Sequence, residues 1–354
     1  MRHVKSSSVV VIGAGVGGLT AASLLHAEGI DVQLLEARDR TGGRLLSVPT
    51  EGGHLDLGAT WFWPNEKLVN AFVSDAGLQA FAQHLDGDML FQSGTVQRVA
   101  GNQLDVESGR LANGMQSITE ALVARCPPDS IHLGQRVEAI HDRSNEGSLT
   151  VRTERQAIEA AHVVLAVPPS LAVQRIDFGD EVDSSVADLA AETPVWMGAT
   201  IKIVAVFEHA FWRESGLAGA AFSHDGPMRE IHDMSGPDGT PAALFGFCSI
   251  PPATPVPTED DIRNQLGALF GPAGNNATEI HVQDWRNEIH TSSLSTLALQ
   301  NYATYGHPEF QKPAMRGRLH WASTETSPIA PGHVEGALVA GTRAAEAILH
   351  DLQP

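Results

Sequence analysis

The chain has little cysteine and no long apolar run. Only Cys126 and Cys248 among its 354 residues are cysteines, and their separation fits no metal-ligand spacing. We therefore expect no structural disulfide and no metal site, and we predict the reducing cytoplasm as the location. No stretch approaches the roughly 18 apolar residues of a membrane span, so no transmembrane helix is predicted. The short polar stretch before the first predicted strand leaves no room for a secretion signal.

Positive charge is also scarce. Lysine and arginine number 23 against 42 aspartate and glutamate residues, which gives a formal net charge of −19. Such an acidic chain repels the phosphates of nucleic acids and of anionic lipids, so neither is predicted as the main partner. The same charge is compatible with cationic small molecules, although acidic surfaces often serve solubility alone.

A glycine-rich segment follows the first predicted strand. Gly13, Gly15 and Gly18 form the pattern GxGxxG, a predicted helix follows, and Glu36 ends the next strand 23 residues after Gly13. The glycines let the turn close and let backbone N–H groups approach a pyrophosphate, while the acid accepts hydrogen bonds from a ribose. The segment predicts a dinucleotide site. The alternative is a glycine-rich turn in some other α/β protein.

The order of the predicted elements indicates an α/β protein with an insertion. The apolar run 162–167 ends at two prolines and is typical of a strand buried on both faces of a parallel sheet. Shorter strands occupy much of 199–285, and a strand at 319–322 and a helix at 334–349 return to α/β character. We predict a discontinuous Rossmann-like domain with an inserted α+β domain built on a mixed or antiparallel sheet.

Further motifs follow in a fixed order along the chain. After Glu36 the chain reads Ala-Arg-Asp-Arg-Thr-Gly-Gly43-Arg44, and a later loop, 56–61, reads Asp-Leu-Gly-Ala-Thr-Trp. Lys202 stands between two isoleucines of a predicted strand. Ser-Thr-Glu-Thr lies in the loop before the last helix, and Gly-His-Val-Glu-Gly-Ala runs into that helix. With the segments 136–140 and 166–169, these motifs resemble the FAD-dependent amine oxidases, which include monoamine, polyamine and L-amino-acid oxidases.

The resemblance implies a division of the chain and a cofactor. It implies an FAD-binding domain of residues 1–66, 113–192 and 312–354, and a substrate-binding domain of residues 67–112 and 193–311. Asn301 matches the position where monoamine oxidases link the flavin through cysteine, so the FAD is expected to be non-covalent. The residues that match the family's cofactor contacts are Gly13, Gly15, Gly18, Glu36, Arg38, Gly43, Arg44, Gly58, Ala59, Thr60, Val137, Trp285, Thr324, Glu325 and Val334.

Lys202 is the predicted catalytic residue. A lysine in an apolar strand must either snorkel to water or meet a polar group. In the family, the matching lysine holds a water against flavin N5 and assists the reaction of reduced flavin with oxygen. The alternative is an outward-facing lysine on the wet face of a sheet.

The resemblance and the aromatic content also suggest a substrate wall. The predicted wall residues are Trp61, Phe247, Tyr302 and His333. Aromatic faces orient a neutral amine and also accommodate its cation. For Phe247 the alternative is sheet core. His333 is either a general base for an ammonium substrate or a loop histidine whose ring nitrogens are hydrogen-bonded within the protein. The helix that begins near Val334 is expected to stabilise the negative charge of the reduced flavin with its positive end.

One segment departs from the family. Only 50 residues separate Trp63 from Gly114, where typical members carry a much larger helical substrate subdomain. The roof of the active site, the amine and the oligomeric state therefore stay open at this point.

The predicted activity is oxidation of an amine C–N bond. Hydride passes to flavin N5, the imine hydrolyses to an aldehyde or ketone, and O2 takes up the electrons to give hydrogen peroxide. On the same fold, a renalase-like activity or oxidation of a C–C bond is the alternative. Outside this class, the chain could be a non-catalytic flavin-binding protein or an NAD(P)-dependent dehydrogenase.

Overall fold

The computed structural model describes residues 4–143, 147–248 and 254–352. Residues 1–3 and 353–354, which begin and end the predicted domain ranges, lie outside the described residues. Within that part of the chain the helices are α1 Val16–Ala27, α2 Lys67–Asp75, α3 Ser117–Val123, α4 Pro169–Arg175, α5 Ser184–Glu192, α6 Phe211–Glu214, α7 Glu259–Phe270 and α8 Val334–Asp351.

The strands form two large sheets and two short hairpin-like pairs. The strands are β1 Val4–Ile12, β2 Val32–Leu35, β3 Ser47–Thr50, β4 Gly53–Asp56, β5 Ala80–Ala82, β6 Asp88–Ser93, β7 Thr95–Val99, β8 Gly109–Leu111, β9 Ile131–His132, β10 Val137–Arg143, β11 Ser148–Thr153, β12 Ala157–Leu165, β13 Ile201–Phe207, β14 Leu217–Ser223, β15 Glu230–Asp233, β16 Ala242–Cys248, β17 Glu279–Asp284 and β18 Leu319–Trp321.

The first sheet has a parallel centre. Its order is β10-β11-β12-β1-β2-β9, and β18 pairs with β12 beyond the point where β11 ends. β1 runs parallel to both β2 and β12, and β10 and β11 extend the sheet antiparallel. Val9, Val10 and Val11 are fully buried because the sheet is covered on both faces, which is the situation that favours continuous apolar strands.

Two helices that are far apart in sequence pack together on this sheet. α1 begins directly after β1, and α8, the last helix, lies against it. A Cβ atom on Gly17 would stand 2.1 Å from the Ala322 carbonyl oxygen, and one on Gly341 would stand 2.3 Å from the Gly17 oxygen. Glycine at both positions therefore permits the close approach that brings the start of α8 beside the start of α1.

The second sheet supplies the lysine. Its order is β17-β13-β16-β15-β14-β6-β7, antiparallel except between β14 and β6. All seven residues of β13 are buried. Because side chains alternate across a strand, Ile201 and Ile203 pack into one core, and Lys202 shares the opposite face with Val204 and Val206. That face packs against the loop after β4.

The two-sheet arrangement confirms the predicted fold class, a Rossmann-like α/β unit with a second, mixed sheet. The short segment 64–113 forms α2 and four strands, of which β6 and β7 extend the second sheet. α4, α5 and β14 were not predicted; α4 begins at Pro169, where proline suits the first turn of a helix. The domain boundaries stay a prediction. No helix of the described chain is long and apolar enough to cross a bilayer.

The contact between α1 and α8 yields a stability prediction. Gly341→Ala places a methyl group against the Gly17 carbonyl, and we expect the overpacking to lower the free energy of unfolding by about 1–3 kcal/mol. Glu346→Ala, on the exposed side of the same helix, is the control and should change it by less than about 0.5 kcal/mol. Urea denaturation measures both, and equal midpoints for Gly341→Ala and the parent protein would contradict the packing argument.

Candidate active site

A cavity of about 660 Å³ lies where the two sheets meet, within the range of small-molecule and cofactor sites. Its lining comes from the turn after β1, the end of β2, the loop after β4, β13, β16 and the start of α8. The predicted site residues that line it are Gly13, Gly15, Glu36, Arg38, Gly43, Arg44, Gly58, Ala59, Thr60, Trp61, Val137, Lys202, Phe247, Trp285, Thr324, His333 and Val334.

The glycine turn after β1 fits a pyrophosphate. Gly13 has φ +101°, which favours glycine, and Gly15 is the N-cap of α1. A Cβ atom on Gly15 would meet nothing within 4 Å, so this glycine keeps cavity space open beside the helix N-terminus. Gly18 does not line the cavity. Its Cβ atom would stand 1.9 Å from the Gly13 oxygen, so its part is to let α1 pack on the turn.

Glu36 and Arg38 form the end of the cavity next to this turn. The buried Glu36 carboxylate accepts hydrogen bonds from the Ala14 N–H at 2.8 Å and the Arg38 N–H at 2.9 Å. Arg38 donates through a terminal nitrogen to Thr291, whereas its buried Nε has no partner among the described residues. A buried donor without an acceptor is costly, so these residues fit the polar adenosine half of a dinucleotide.

Lys202 reaches the loop after β4 from the second sheet. Its Nζ donates to the Gly58 carbonyl oxygen at 2.9 Å and to the Thr60 hydroxyl. The same nitrogen lies 4.3 Å from the centre of the Phe245 ring, a cation–π distance. Only 2% of the residue is exposed. The structure therefore places Lys202 against the cavity, not on a wet sheet face.

Burial changes the protonation of this lysine. Burial lowers the pKa of Lys202 to about 7, opposed by the negative charge of Asp56 and assisted by the positive charge of Arg110. Burial likewise raises the pKa of Asp56, against the opposing effects of Lys202 and of hydrogen bonds from Ser47 and Met115. Lys202 can thus gain and lose a proton near neutral pH.

Glu325 supports the site from behind and does not line the cavity. Its side chain is fully buried and pairs with Arg44 through two contacts, 2.6 and 3.0 Å long. Arg44 itself faces the cavity. In the structure a two-point ion pair uses both carboxylate oxygens to hold Arg44, and the cofactor contact of Glu325 stays a prediction.

The aromatic wall differs from the prediction at one position. Trp61, Phe247 and His333 line the cavity, but Tyr302 does not. Tyr302 is 46% exposed and touches the edge of Trp196, whose ring centre lies 5.9 Å away. Trp196 is the aromatic residue of this pair that lines the cavity.

The start of α8 forms the remaining wall. Val334 and Ala337, in its first turn, line the cavity together with Ser323 and Thr324. The buried Ser323 hydroxyl has no hydrogen-bond partner among the described residues. A positive helix end and an unsatisfied hydroxyl fit a bound group that carries hydrogen-bonding atoms and negative charge.

Sequence reasoning missed Trp63, Trp196 and the Lys202–Asp56 coupling. Trp63 follows Trp61 by two residues and could have been inferred from that loop. Trp196 lies in a stretch without periodicity, and its place in the wall comes from packing against Gly332, where a Cβ atom would stand 2.9 Å from the indole. No sequence signal marks that contact.

Comparisons with known proteins agree with this geometry. The family model for flavin containing amine oxidoreductases matches residues 16–113 and 100–349. A putrescine oxidase of Kocuria rosea is 24% identical over 461 aligned residues, covering 96% of this chain and 95% of that protein. The flavin-containing amine oxidase B of Canis lupus familiaris is 23% identical over 458 aligned residues, covering 97% and 86%.

Solved structures share the fold. Cyclohexylamine oxidase from Brevibacterium oxydans superimposes with a TM-score of 0.84 at 21% identity, covering 98% of this chain and all of that one. Putrescine oxidase bound to putrescine gives a TM-score of 0.83 at 21% identity with the same coverage.

Fold and site together define a flavin-dependent oxidoreductase acting on amines. The chain belongs to the flavin-containing amine oxidoreductase family, which confirms the resemblance seen in the sequence. The two matched segments overlap at residues 100–113. These residues lie in the stretch between Trp63 and Gly114, which is shorter than is typical of the family.

The Arg44–Glu325 pair generates a prediction. Arg44→Met leaves the fully buried Glu325 carboxylate without its partner, and we expect a loss of about 3 kcal/mol in the free energy of unfolding. The double variant Arg44→Met, Glu325→Met removes both charges and should recover part of that loss. Denaturation of the cofactor-free proteins measures the difference, and a double variant less stable than the single one would contradict the account.

Proposed function

We propose that the protein is an oxidase that binds FAD non-covalently, oxidises an amine at its C–N bond, and passes the electrons to O2 with release of hydrogen peroxide. The observation that carries the proposal is Lys202. This residue is a buried amine with a pKa near neutrality, held on the loop beside the cavity that also contains the dinucleotide turn.

FAD is the flavin that suits the whole cavity. The turn at Gly13 and Gly15 and the acid Glu36 accommodate a pyrophosphate and a ribose, which a mononucleotide flavin would leave partly unused. Neither Cys126 nor Cys248 lines the cavity; both are free and buried. These facts support non-covalent binding, and the free thiols support the cytoplasm as the proposed location.

The other end of the cavity suits an amine. Trp61, Trp63, Trp196 and Phe247 offer apolar ring surface, and Glu230 adds a partly exposed carboxylate to the lining. Aromatic faces and a carboxylate attract an ammonium ion from solution and hold its apolar substituent. The acidic net charge of the chain also favours a cationic substrate.

The residues around the cavity have different roles in the proposed reaction. When bound, the flavin supplies the redox chemistry, taking hydride from the amine carbon and passing electrons to oxygen. Lys202 holds a proton or a water molecule beside that reaction, from a nitrogen already fixed by Gly58 and Thr60. The first turn of α8 presents its positive end to the cavity. The renalase-like alternative is not favoured, because the relatives reported above are amine oxidases.

The first prediction from the proposed function concerns the reaction itself. Protein purified with its cofactor should be yellow, and an effective amine should bleach the flavin without oxygen, with peroxide released when air returns. A screen over primary, secondary and polyamines and amino acids, followed by absorbance, identifies the substrate class. Acid precipitation should release FAD into the supernatant. Flavin that no amine bleaches would favour a non-catalytic flavoprotein.

The second prediction concerns Lys202. Lys202→Met should retain flavin but slow its reoxidation by oxygen by about 100-fold, in the range for loss of one positioned proton donor. Lys312 is an exposed lysine paired with Glu309, so Lys312→Met is the matched control and its flavin should reoxidise at the parent rate. Stopped-flow absorbance measures both. Equal rates in Lys202→Met and the parent protein would remove Lys202 from the mechanism.

The third prediction is a pH dependence. Below its pKa of about 7, Lys202 carries a positive charge that stabilises negative charge developing on oxygen; above it the charge is lost. Reoxidation should therefore slow as the pH rises through about 7, and this step should be absent in Lys202→Met. A parent profile that is flat between pH 6 and 8 would count against the assignment.

A further inference from the structure

His333 has a carboxylate partner buried behind the cavity wall. Its Nδ1 lies 2.6 Å from Oε1 of Glu66, a residue 267 positions earlier in the chain. The Glu66 side chain is only 4% exposed, whereas that of His333 is 34% exposed. The other oxygen of Glu66 accepts the Trp63 backbone N–H at 3.0 Å. The pair thus has one member in the protein interior and the other in the cavity wall.

The surroundings fix the imidazole ring. The centre of the Trp63 ring lies 4.7 Å from that of His333, and Trp196 stands on another side at 6.5 Å. The His333 backbone oxygen accepts the Thr324 hydroxyl at 2.7 Å, which holds the residue at the start of α8.

A second contact holds together α2 and α8, the helices that begin next to Glu66 and His333. The Glu335 carboxylate accepts the backbone N–H groups of Leu68 and Val69 at 3.0 and 2.8 Å. Two contacts therefore join the starts of α2 and α8: Glu66 contacts His333, and Glu335 contacts the first turn of α2. Side chains held this way keep one geometry, as a proton-transfer site requires.

The Glu66 contact selects the tautomer of His333. An ionised carboxylate only accepts hydrogen bonds, so the neutral ring carries its proton on Nδ1, and Nε2 keeps its lone pair. No hydrogen-bond partner of Nε2 occurs among the described residues. The dyad therefore presents an acceptor nitrogen from a ring that lines the cavity.

Amine oxidation needs such an acceptor. Aliphatic amines are protonated at neutral pH, and an ammonium nitrogen has no lone pair to assist loss of hydride from the adjacent carbon. We propose that His333 accepts this proton and that Glu66 is its positioning residue, an inference that rests on the proposed function. The N–H bond of the ammonium breaks, its electron pair stays on the substrate nitrogen, and Nε2 of His333 gains the proton. The Glu66 carboxylate stabilises the resulting imidazolium.

His333 suits this step better than Lys202. The lysine is almost fully buried and donates two hydrogen bonds, to Gly58 and Thr60, whereas His333 is exposed enough to return its proton to solvent. The charges near His333 are Glu66; Glu335, which is engaged by α2; Lys67, next to Glu66; and the Arg44–Glu325 pair behind Trp196. Of these, Glu66 contacts the imidazole directly.

The test compares two variants under anaerobic conditions with two amines. His333→Phe keeps an aromatic wall but removes the base, and Glu66→Gln keeps the shape of its residue but removes the charge. With an ordinary alkylamine at pH 7, flavin reduction by His333→Phe should slow about 100-fold. With 2,2,2-trifluoroethylamine, which is largely neutral at that pH, the loss should be less than about threefold, because no base is needed. Equal losses with both amines would overturn the proposal.

The choice of amine separates positioning from structure. Glu66→Gln removes the carboxylate that orients the imidazole, so it should slow flavin reduction by the alkylamine about 10-fold and reduction by trifluoroethylamine by less than about threefold. Glu335→Gln weakens the contact between α2 and α8 without touching the ring, so it should lower thermal stability and change the rates with the two amines by the same factor. Equal losses with both amines in Glu66→Gln would overturn the role of Glu66.

A spectroscopic readout does not depend on turnover. In protein labelled with ¹⁵N-histidine, the His333 signals, assigned by their loss in His333→Phe, should report a proton on Nδ1 at high pH, and Glu66→Gln should abolish that preference. A parent His333 protonated on Nε2 would overturn the dyad. If no amine reduces the parent flavin, the proposed function fails; if the parent is reduced and the variants behave alike, the dyad alone fails.

Discussion

The buried amine of Lys202 connects the second sheet to the loop after β4. Lys202 extends from the second sheet to the loop after β4, where Gly58 and Thr60 receive its hydrogen bonds. An amine removed from water is unstable as a cation unless it is paired, and burial shifts its pKa toward neutrality. Both the glycine turn after β1 and the aromatic rings line the cavity beside this contact.

The features that could be predicted from the sequence are those determined by interactions between neighbouring residues. The turn at Gly13 follows from the conformation that only glycine adopts easily, and the buried β1 follows from an apolar run. Lys202 could be placed because alternation in a strand puts it opposite Ile201 and Ile203. Each of these signals lies within a few neighbouring residues, and family resemblance added the later segments near 323–337.

The features that sequence could not predict depend on tertiary packing. Tyr302 lies in a stretch of short 3-10 turns without periodicity, so nothing local shows that Trp196 lines the cavity instead. Glu66 and His333 are 267 residues apart and meet only because α2 begins beside α8. Gly18 and Glu325 matched family motifs, but one serves helix packing and the other holds Arg44.

The compact insertion supports the aromatic wall with few residues. Its strands β6 and β7 extend the second sheet, and its Asp105 side chain meets His232 of β15 at 2.7 Å with both side chains buried. His232 stacks on Phe245, beside Trp61 of the cavity wall. A short segment thus backs the aromatic wall through a buried polar contact.

A crystal structure of the purified yellow protein tests the central claim most directly. We predict adenosine beside Glu36, the flavin ring between the start of α8 and Lys202, and the lysine nitrogen within reach of the ring directly or through one water molecule. A flavin bound outside this cavity, or a ring beyond the reach of Lys202, would contradict the account.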